Sequence, residues 1–454
     1  MKHHTQLALA AIASTVIGFS SLAAAAVSSA DAEKLKTTLT PFGAEKAGNK
    51  EGTIPAWTGG YTTPIPGFKN GGKRGDPFAA EKPLFSITSK NMAQYADKLS
   101  DGSKALLQKF PETYRLDVYP THRTAAAPQW VYDNTFKNAT QVQLVETPFG
   151  PRPKGPLGGM PFPIPKTGEE VIWNHLVSWR GEAFHLDFQS ILVTAAGQKV
   201  PTTDGMMDMD NTYYNKTADA PRDDPYYTVR LINAGPPIRA GEAIVGRINS
   251  VGDDQAWVYL TGQRRVRKLP NPCCDTPSPS SAGVMSFDDI DVFAGRIDRF
   301  DWKIIGKKEI YIPYNDNKFL QPDKSDDVLL ARHLNPDHVR WELHRVWVVE
   351  ATLKAGQRHQ AAKSVYYIDE DTWGAVLGDR WDANGQLWKS NWQMRMVMPD
   401  VPATGGVTFG FYDLLSGVYF VNNFITGKAE QMKVMPHLPP SIFTPEGLIG
   451  ESTR

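Results

Sequence analysis

Cysteine is nearly missing from this chain: among 454 residues only Cys273 and Cys274 occur. Neither stands directly behind the apolar N-terminal segment, which excludes a lipid-accepting cysteine there. As neighbours they either close a vicinal disulfide or stay as two thiols, and Pro270, Pro272, Pro277 and Pro279 around them point to a stiffened loop rather than a redox centre. An excess of one charge is missing too. Lys+Arg and Asp+Glu both number 49, which removes the basic footprint of a nucleic-acid binder, so no nucleic acid is expected as a partner. Gly-x-Ser-x-Gly, His-Glu-x-x-His, Gly-x-Gly-x-x-Gly and phosphate-loop patterns are all absent, leaving the common hydrolase, zinc, dinucleotide and nucleotide classes without their signals. No catalytic residue, metal or cofactor is implied.

Long apolar runs are confined to the N-terminus. Lys2, His3 and His4 precede an apolar stretch from Leu7 to Phe19, followed by Ser21-Leu22-Ala23-Ala24-Ala25-Ala26, the layout of a secretory signal peptide covering residues 1–26. The run is shorter than the ~18–20 residues needed to cross a bilayer, and no later segment offers a second span. Residues 27–454 are expected to form one exported domain, placed in the periplasm.

What is abundant is turn-forming and aromatic: 38 Gly, 34 Pro, 12 Trp, 16 Tyr and 20 Phe beside 41% hydrophobic residues, a composition of β structure with a sizeable core. Ser28 to Leu39 reads as a short capped helix. Residues 41–83 show little periodicity and read as a Gly/Pro-rich segment wrapped over a core, and Met92 to Phe110 as a helix pair broken at Asp101-Gly102. Residues 148–165 hold seven prolines and four glycines, which forbid a helix or an interior strand; Phe149, Leu157, Met160, Phe162 and Ile164 favour a rigid flap over the core rather than a linker. After Gly168 the chain reads as a succession of strands: a meander over Glu242–Asn249, Gln255–Thr261 and Arg264–Leu269, then hairpins His344–Leu353 with Lys363–Ile368 and Val407–Phe411 with Val418–Phe424. Sequential hairpins without crossover helices predict one broad antiparallel sheet that curls into a barrel or half-barrel.

Residues 386–398 alternate most cleanly. Trp388, Trp392, Met394, Met396 and Met398 share one face of a strand, while Lys389, Asn391, Gln393 and Arg395 share the other. Together with Trp257, Tyr259, Trp347 and Tyr366, the apolar face supplies the expected wall of a ligand cavity, a role that competes with ordinary core packing. Other clusters have blander readings. His333, His338 and His344, near Asp337, lack the spacing of a metal site. Asp204, Asp208, Asp210 and Asn211 do not match a calcium loop. Asp288, Asp289 and Asp291 could supply paired carboxylates only if burial separates their pKa values.

The stretches 257–269, 366–373, 51–60 and 379–385, beginning Trp257-Val258-Tyr259, Tyr366-Tyr367-Ile368, Glu51-Gly52-Thr53 and Asp379-Arg380-Trp381, resemble a family of exported bacterial proteins. Its members are catalogued as a domain of unknown function and labelled outer-membrane lipoprotein-sorting proteins. The resemblance covers nearly all of the chain after the leader. It implies a fold similar to the carriers LolA and LolB: mainly β, a large curved antiparallel sheet forming an incomplete β-barrel, with a few helices on the concave side. It also implies a hydrophobic small molecule, lipid, acyl chain or lipoprotein anchor as ligand, and an inner-membrane efflux-type permease and an outer-membrane acceptor as partners. Two readings compete: an exported enzyme acting on a lipophilic substrate, and an outer-membrane barrel. Dense prolines and a C-terminus reading Glu451-Ser452-Thr453-Arg454, without a terminal aromatic, count against the barrel.

Overall fold

A computed structural model describes residues 26–156, 158–216, 225–249 and 252–452; the expected signal peptide lies outside them except for Ala26. The protein is mainly β, built on a 16-stranded sheet. Strands Trp341–Leu353, Lys363–Asp369, Ala375–Trp381, Leu387–Met398, Ala403–Asp413 and Tyr419–Phe424 follow one another as antiparallel neighbours. The last of them pairs with Ala183–Val193, which opens a second meander through Lys199–Asp210, Pro225–Gly235, Ala243–Asn249, Gln255–Leu260 and Arg265–Lys268. Short chain-neighbour connections suit antiparallel pairing. The path ends at Phe85–Ile87 on one side and at Arg265–Lys268 on the other, and these ends do not pair, so the sheet does not close into a barrel. Exposed Arg265, Arg267 and Lys268 blunt the latter edge against adventitious strand addition.

Register shifts at Ser190/Ile191, Gln393/Arg395 and Val421/Phe424 interrupt the ladders, and such irregularities bend and twist a sheet. Between Val421 and Phe424 the shift is accommodated by Asn423 at φ +48°, a left-handed conformation that Asn tolerates better than most residues.

The sheet is covered on both faces. Helix Asp101–Lys109, capped by Ser100, lies on one face of Leu387–Met398, where its Gly102 N–H donates to Asp379. On the other face lie helix Gly168–Leu176 and the irregular chain around residues 270–298. The helix at Gly168–Leu176 stands where strands were expected to begin; Thr167 caps it and Glu169 and Glu170 fill its first turn, a helix-start signal that the Gly/Pro-rich approach obscured. The Pro-rich stretch packs against this helix: Pro151 accepts from the Trp173 indole at 2.8 Å and Phe162 exchanges hydrogen bonds with the Asn174 amide. Cys273 and Cys274 are joined as a buried vicinal disulfide in the 270–298 segment.

Candidate functional site

On the face carrying the 270–298 segment, the second meander encloses a cavity of about 120 Å³. Two cross-strand rows build its wall. One runs Phe184, Met209, Val229, Gly246, Ala256, the other Leu186, Met207, Leu231, Ile244, each residue opposite the next on a neighbouring strand. Side chains directly opposite across antiparallel strands point to the same face, so the alternation of each strand lines the cavity with aliphatic, thioether and aromatic groups. Pro272, Phe287 and Ile290 close it from the 270–298 segment, and Phe409 from the other meander.

Polar groups gather where this cavity meets a second, about 20 Å³, since both are bordered by Arg180, Tyr227, Asp291, Ala294 and Gly406. Arg180 Nη1 donates to Asp291 Oδ2 at 2.6 Å, and Gln393 Nε2 to Asp291 Oδ1 at 3.0 Å. Asp291 sits at φ +49° and Val292 at φ +72°; for a β-branched residue this is costly, and such strain persists only where surrounding contacts enforce it. Arg395 is buried and, among the described residues, has no carboxylate within ion-pair distance: Nη1 donates to Gln393 Oε1 at 2.8 Å, Nη2 to the Thr404 carbonyl at 3.0 Å, and Nε finds no acceptor. Burial lowers its pKa from the ordinary Arg value. Glycine beside it leaves room for these side-chain ends: a Cβ on Gly374 would fall 1.7 Å from Arg395 Nη1, and one on Gly406 2.0 Å from the Gln393 amide, so either group would have to move.

His175 borders the smaller cavity as a neutral imidazole. Burial brings its pKa down to about 4; Nδ1 accepts from the Ala375 N–H at 2.9 Å, which leaves Nε2–H to donate to the Phe293 carbonyl, also at 2.9 Å. Asp254 borders the larger cavity, and burial raises its pKa to about 6.

The nine side chains expected to form the wall stand elsewhere, and none borders the 120 Å³ cavity. Trp392 and Met394 border a 20 Å³ space on the opposite face, packed by Leu106, Leu334, Trp341 and Tyr412. Met396 and Met398 are buried in the main core, and the Trp388 indole donates to Asp413. Trp347 stacks on Trp373, and Tyr366 packs between Phe293 and Trp302. Trp257 and Tyr259 belong to a satellite cluster with Phe443 and Leu448. The residues that do line the cavity carried a readable signal, the period-two spacing of Phe184 with Leu186, Met207 with Met209, and Val229 with Leu231.

The remaining titratable clusters are internally paired. Burial opposes ionisation of Asp289, but Lys389 at 2.8 Å and Arg380 at 2.9 Å overcome it and hold its pKa well below the carboxylate range. Asp288, likewise depressed, meets His359 at 2.6 Å. Carboxylates pinned in this way are poor proton shuttles near neutrality. Asp204, Asp208 and Asp210 alternate along one strand, each with its own cationic or imidazole partner, Lys428, Arg230 and His437, so they form no calcium loop. His344 is buried against Glu342 and lies with Asp369 and Asp371 in a group compact enough for a metal ion, but Arg123 takes both oxygens of Asp371 and Thr372 engages Asp369. His333 instead bonds Thr113 and the Leu334 carbonyl, apart from that group.

Among the described residues no helix is long and apolar enough to cross a membrane. The sequence is 38% identical to an uncharacterized protein of Pseudomonas aeruginosa over 100% of this chain and 98% of the relative. Weaker likenesses link the structure to a protein domain from Vibrio parahaemolyticus described as outer membrane lipoprotein-sorting (13% identity, 62% of this chain and 98% of that one, TM-score 0.43). A DUF1329 family protein from Desulfovibrio piger (14%, 59% and 92%, TM-score 0.39) and a LolA superfamily protein from Nitrosomonas europaea (12%, 62% and 98%, TM-score 0.36) are alike to a similar degree. Likenesses of this strength assign no ligand, and the mainly β architecture stands on the strand pairing itself. The model of the family described as "protein of unknown function (DUF1329)" matches residues 86–449, and with the Pseudomonas relative matching throughout, the chain belongs to that family.

Proposed function

We propose that the protein is a periplasmic carrier or chaperone for a hydrophobic ligand, moving a lipid or acyl chain between membranes. The observation that carries this reading is the apolar cavity of about 120 Å³ walled by the cross-strand rows of the second meander. An apolar cavity of ~150 Å³ takes a benzene ring, roughly 25 Å³ per carbon, so the space suits about five non-hydrogen atoms, a segment of one acyl chain rather than a complete lipoprotein anchor. Burying about five methylenes at ~0.8 kcal/mol each yields ~4 kcal/mol, comparable with association costs of at least ~4 kcal/mol, so the cavity alone holds a guest weakly and reversibly, as suits a carrier. The signal-peptide layout of residues 1–26 supports export. The family resemblance goes with an efflux-type permease in the inner membrane and an acceptor in the outer membrane as partners.

The test is to purify the protein without detergent and analyse an organic extract by mass spectrometry, alongside displacement of a fluorescent apolar probe by alkyl ligands. A co-purified amphiphile, or displacement at micromolar to millimolar ligand, is expected. A clean extract with an undisplaced probe overturns the reading. Asp254, protonated near pH 6 at the cavity wall, is the observation that favours an exported enzyme instead. Hydrolysis of lipid esters by the wild type, lost in Asp254→Asn, would move the assignment there.

A further inference from the structure

The junction between the two cavities contains more cationic than anionic charge. Arg180 and Arg395 both border the 20 Å³ recess, His175 beside them is neutral, and Asp291 is the recess's carboxylate. Asp291 is engaged by Arg180 and Gln393, so it compensates the first guanidinium and, among the described residues, leaves the second with neutral acceptors only. The strongest influence of opposite sign on Arg395 comes from beyond the recess, from Asp369, which is engaged by Thr372 and Tyr314. A buried guanidinium has five donors and no way to shed its charge at neutral pH, so an unmatched one is expensive unless an acceptor reaches it. Arg395 Nε is such an unmatched donor.

We propose that the guest is an amphipathic monocarboxylate, with its apolar body in the 120 Å³ cavity and its carboxylate in the adjoining recess against Arg395. The assignment rests on the carrier reading and sharpens it to a ligand class. Size selects the head group: at roughly 10–15 Å³ per water-sized atom, 20 Å³ admits the one or two oxygens of a carboxylate but not the four of a phosphate. Charge selects it as well, since an anion supplies the partner that Arg395 lacks, whereas an ammonium head would meet two guanidinium groups. At the ~25 Å³ per carbon of a benzene-sized cavity, about five carbons of the apolar body lie inside the 120 Å³ space and the rest of a longer chain extends beyond it. A carboxylate on Arg forms charge-assisted, bidentate hydrogen bonds, the strong class among protein hydrogen bonds.

Calorimetric titration of the purified protein with decanoate, 1-decanol and decylamine, each below its aggregation limit, tests the proposal. Decanoate should bind at least about tenfold tighter than decanol, the margin expected for hydrogen bonds to a charged partner, with decylamine weakest. Arg395→Met should bring decanoate down to the affinity of decanol without changing decanol. If that variant fails to fold, Asp291→Asn serves, because freeing Arg180 from its carboxylate should raise decanoate affinity severalfold and leave decanol unchanged. Equal binding of decanoate and decanol by the wild type overturns the head-group assignment while the carrier reading survives. Failure of all three to bind, or to displace the apolar probe, overturns the carrier reading itself.

Discussion

Adding bulk to the cavity wall distinguishes an accommodating space from a packed core. Ala256 is buried, lies opposite Gly246 in the Phe184–Ala256 row, and points into the 120 Å³ cavity. Ala256→Leu adds three carbons, which at roughly 25 Å³ each occupy somewhat more than half of that space. At ~0.8 kcal/mol per buried methylene the variant should be neutral to ~2 kcal/mol more stable than the wild type. In a filled core the same change typically costs about 1–3 kcal/mol. Ala375→Leu is the matched control, since Ala375 is buried in the main core with its N–H bonded to His175. Urea midpoints for both variants, read with unchanged slopes, give the comparison directly. The same three carbons displace part of a guest's apolar body, so decanoate affinity should fall by ~2 kcal/mol, about thirtyfold. A loss of stability in Ala256→Leu as large as in Ala375→Leu would refute the inference that the cavity can take foreign atoms.

Further expectations follow from the charged groups. His175 has a folded pKa of about 4, below its ordinary value of 6.5. The unfolded chain therefore takes the proton first, so the stability linked to His175 is complete above pH 6.5 and is lost as pH falls towards 4, ~3 kcal/mol in all. Asp254 and Asp379, both raised to about 6, act in the opposite sense over nearby pH, so the measurement is the difference between wild type and His175→Phe. That difference should shrink between about pH 7 and pH 4.5, and a constant gap would contradict the neutral assignment. Lys389→Met leaves Asp289 buried with Arg380 as its remaining cation and should cost about 3–5 kcal/mol, part of it restored by adding Asp289→Asn; strict additivity in that cycle would show the pair to be uncoupled. Gly374→Ala forces the Arg395 guanidinium aside, so it should lose about 1–3 kcal/mol of stability and weaken decanoate binding, whereas an unaffected titration would show that Arg395 has no part in it.

Most of the first meander and the last three strands of the second could be read from the chain because hairpin chemistry is local, whereas Ala183–Val193, Lys199–Asp210, Pro225–Gly235 and Ala375–Trp381 fall only under the general expectation of strands after Gly168. Asp382-Ala383-Asn384-Gly385 turns into Leu387–Met398 with Gly385 at φ +74°, and strand ends fall within a few residues of their expected positions. Strand Phe300–Pro313 was not legible, because Trp302, Ile304 and Gly306 straddle a register shift that breaks the alternation. The cavity's face was hidden for a deeper reason. Alternation divides Leu387–Met398 into two faces but cannot say which element covers each. The familiar inference, apolar inward and polar outward, holds for a sheet wet on one side. Here both sides are covered, and Lys389, Asn391 and Gln393 meet Asp289 and Asp291, about a hundred residues earlier in the chain. The matched two-residue spacing of those aspartates and of their partners is a trace of this pairing in the sequence. It could be read only on the premise that a polar stripe within a large sheet is buried, since burial is what compels each charge to find a counterpart. On that premise the residue to question is not an indole or thioether of the oily face but Arg395, the cation of the stripe to which the fold supplies no carboxylate among the described residues.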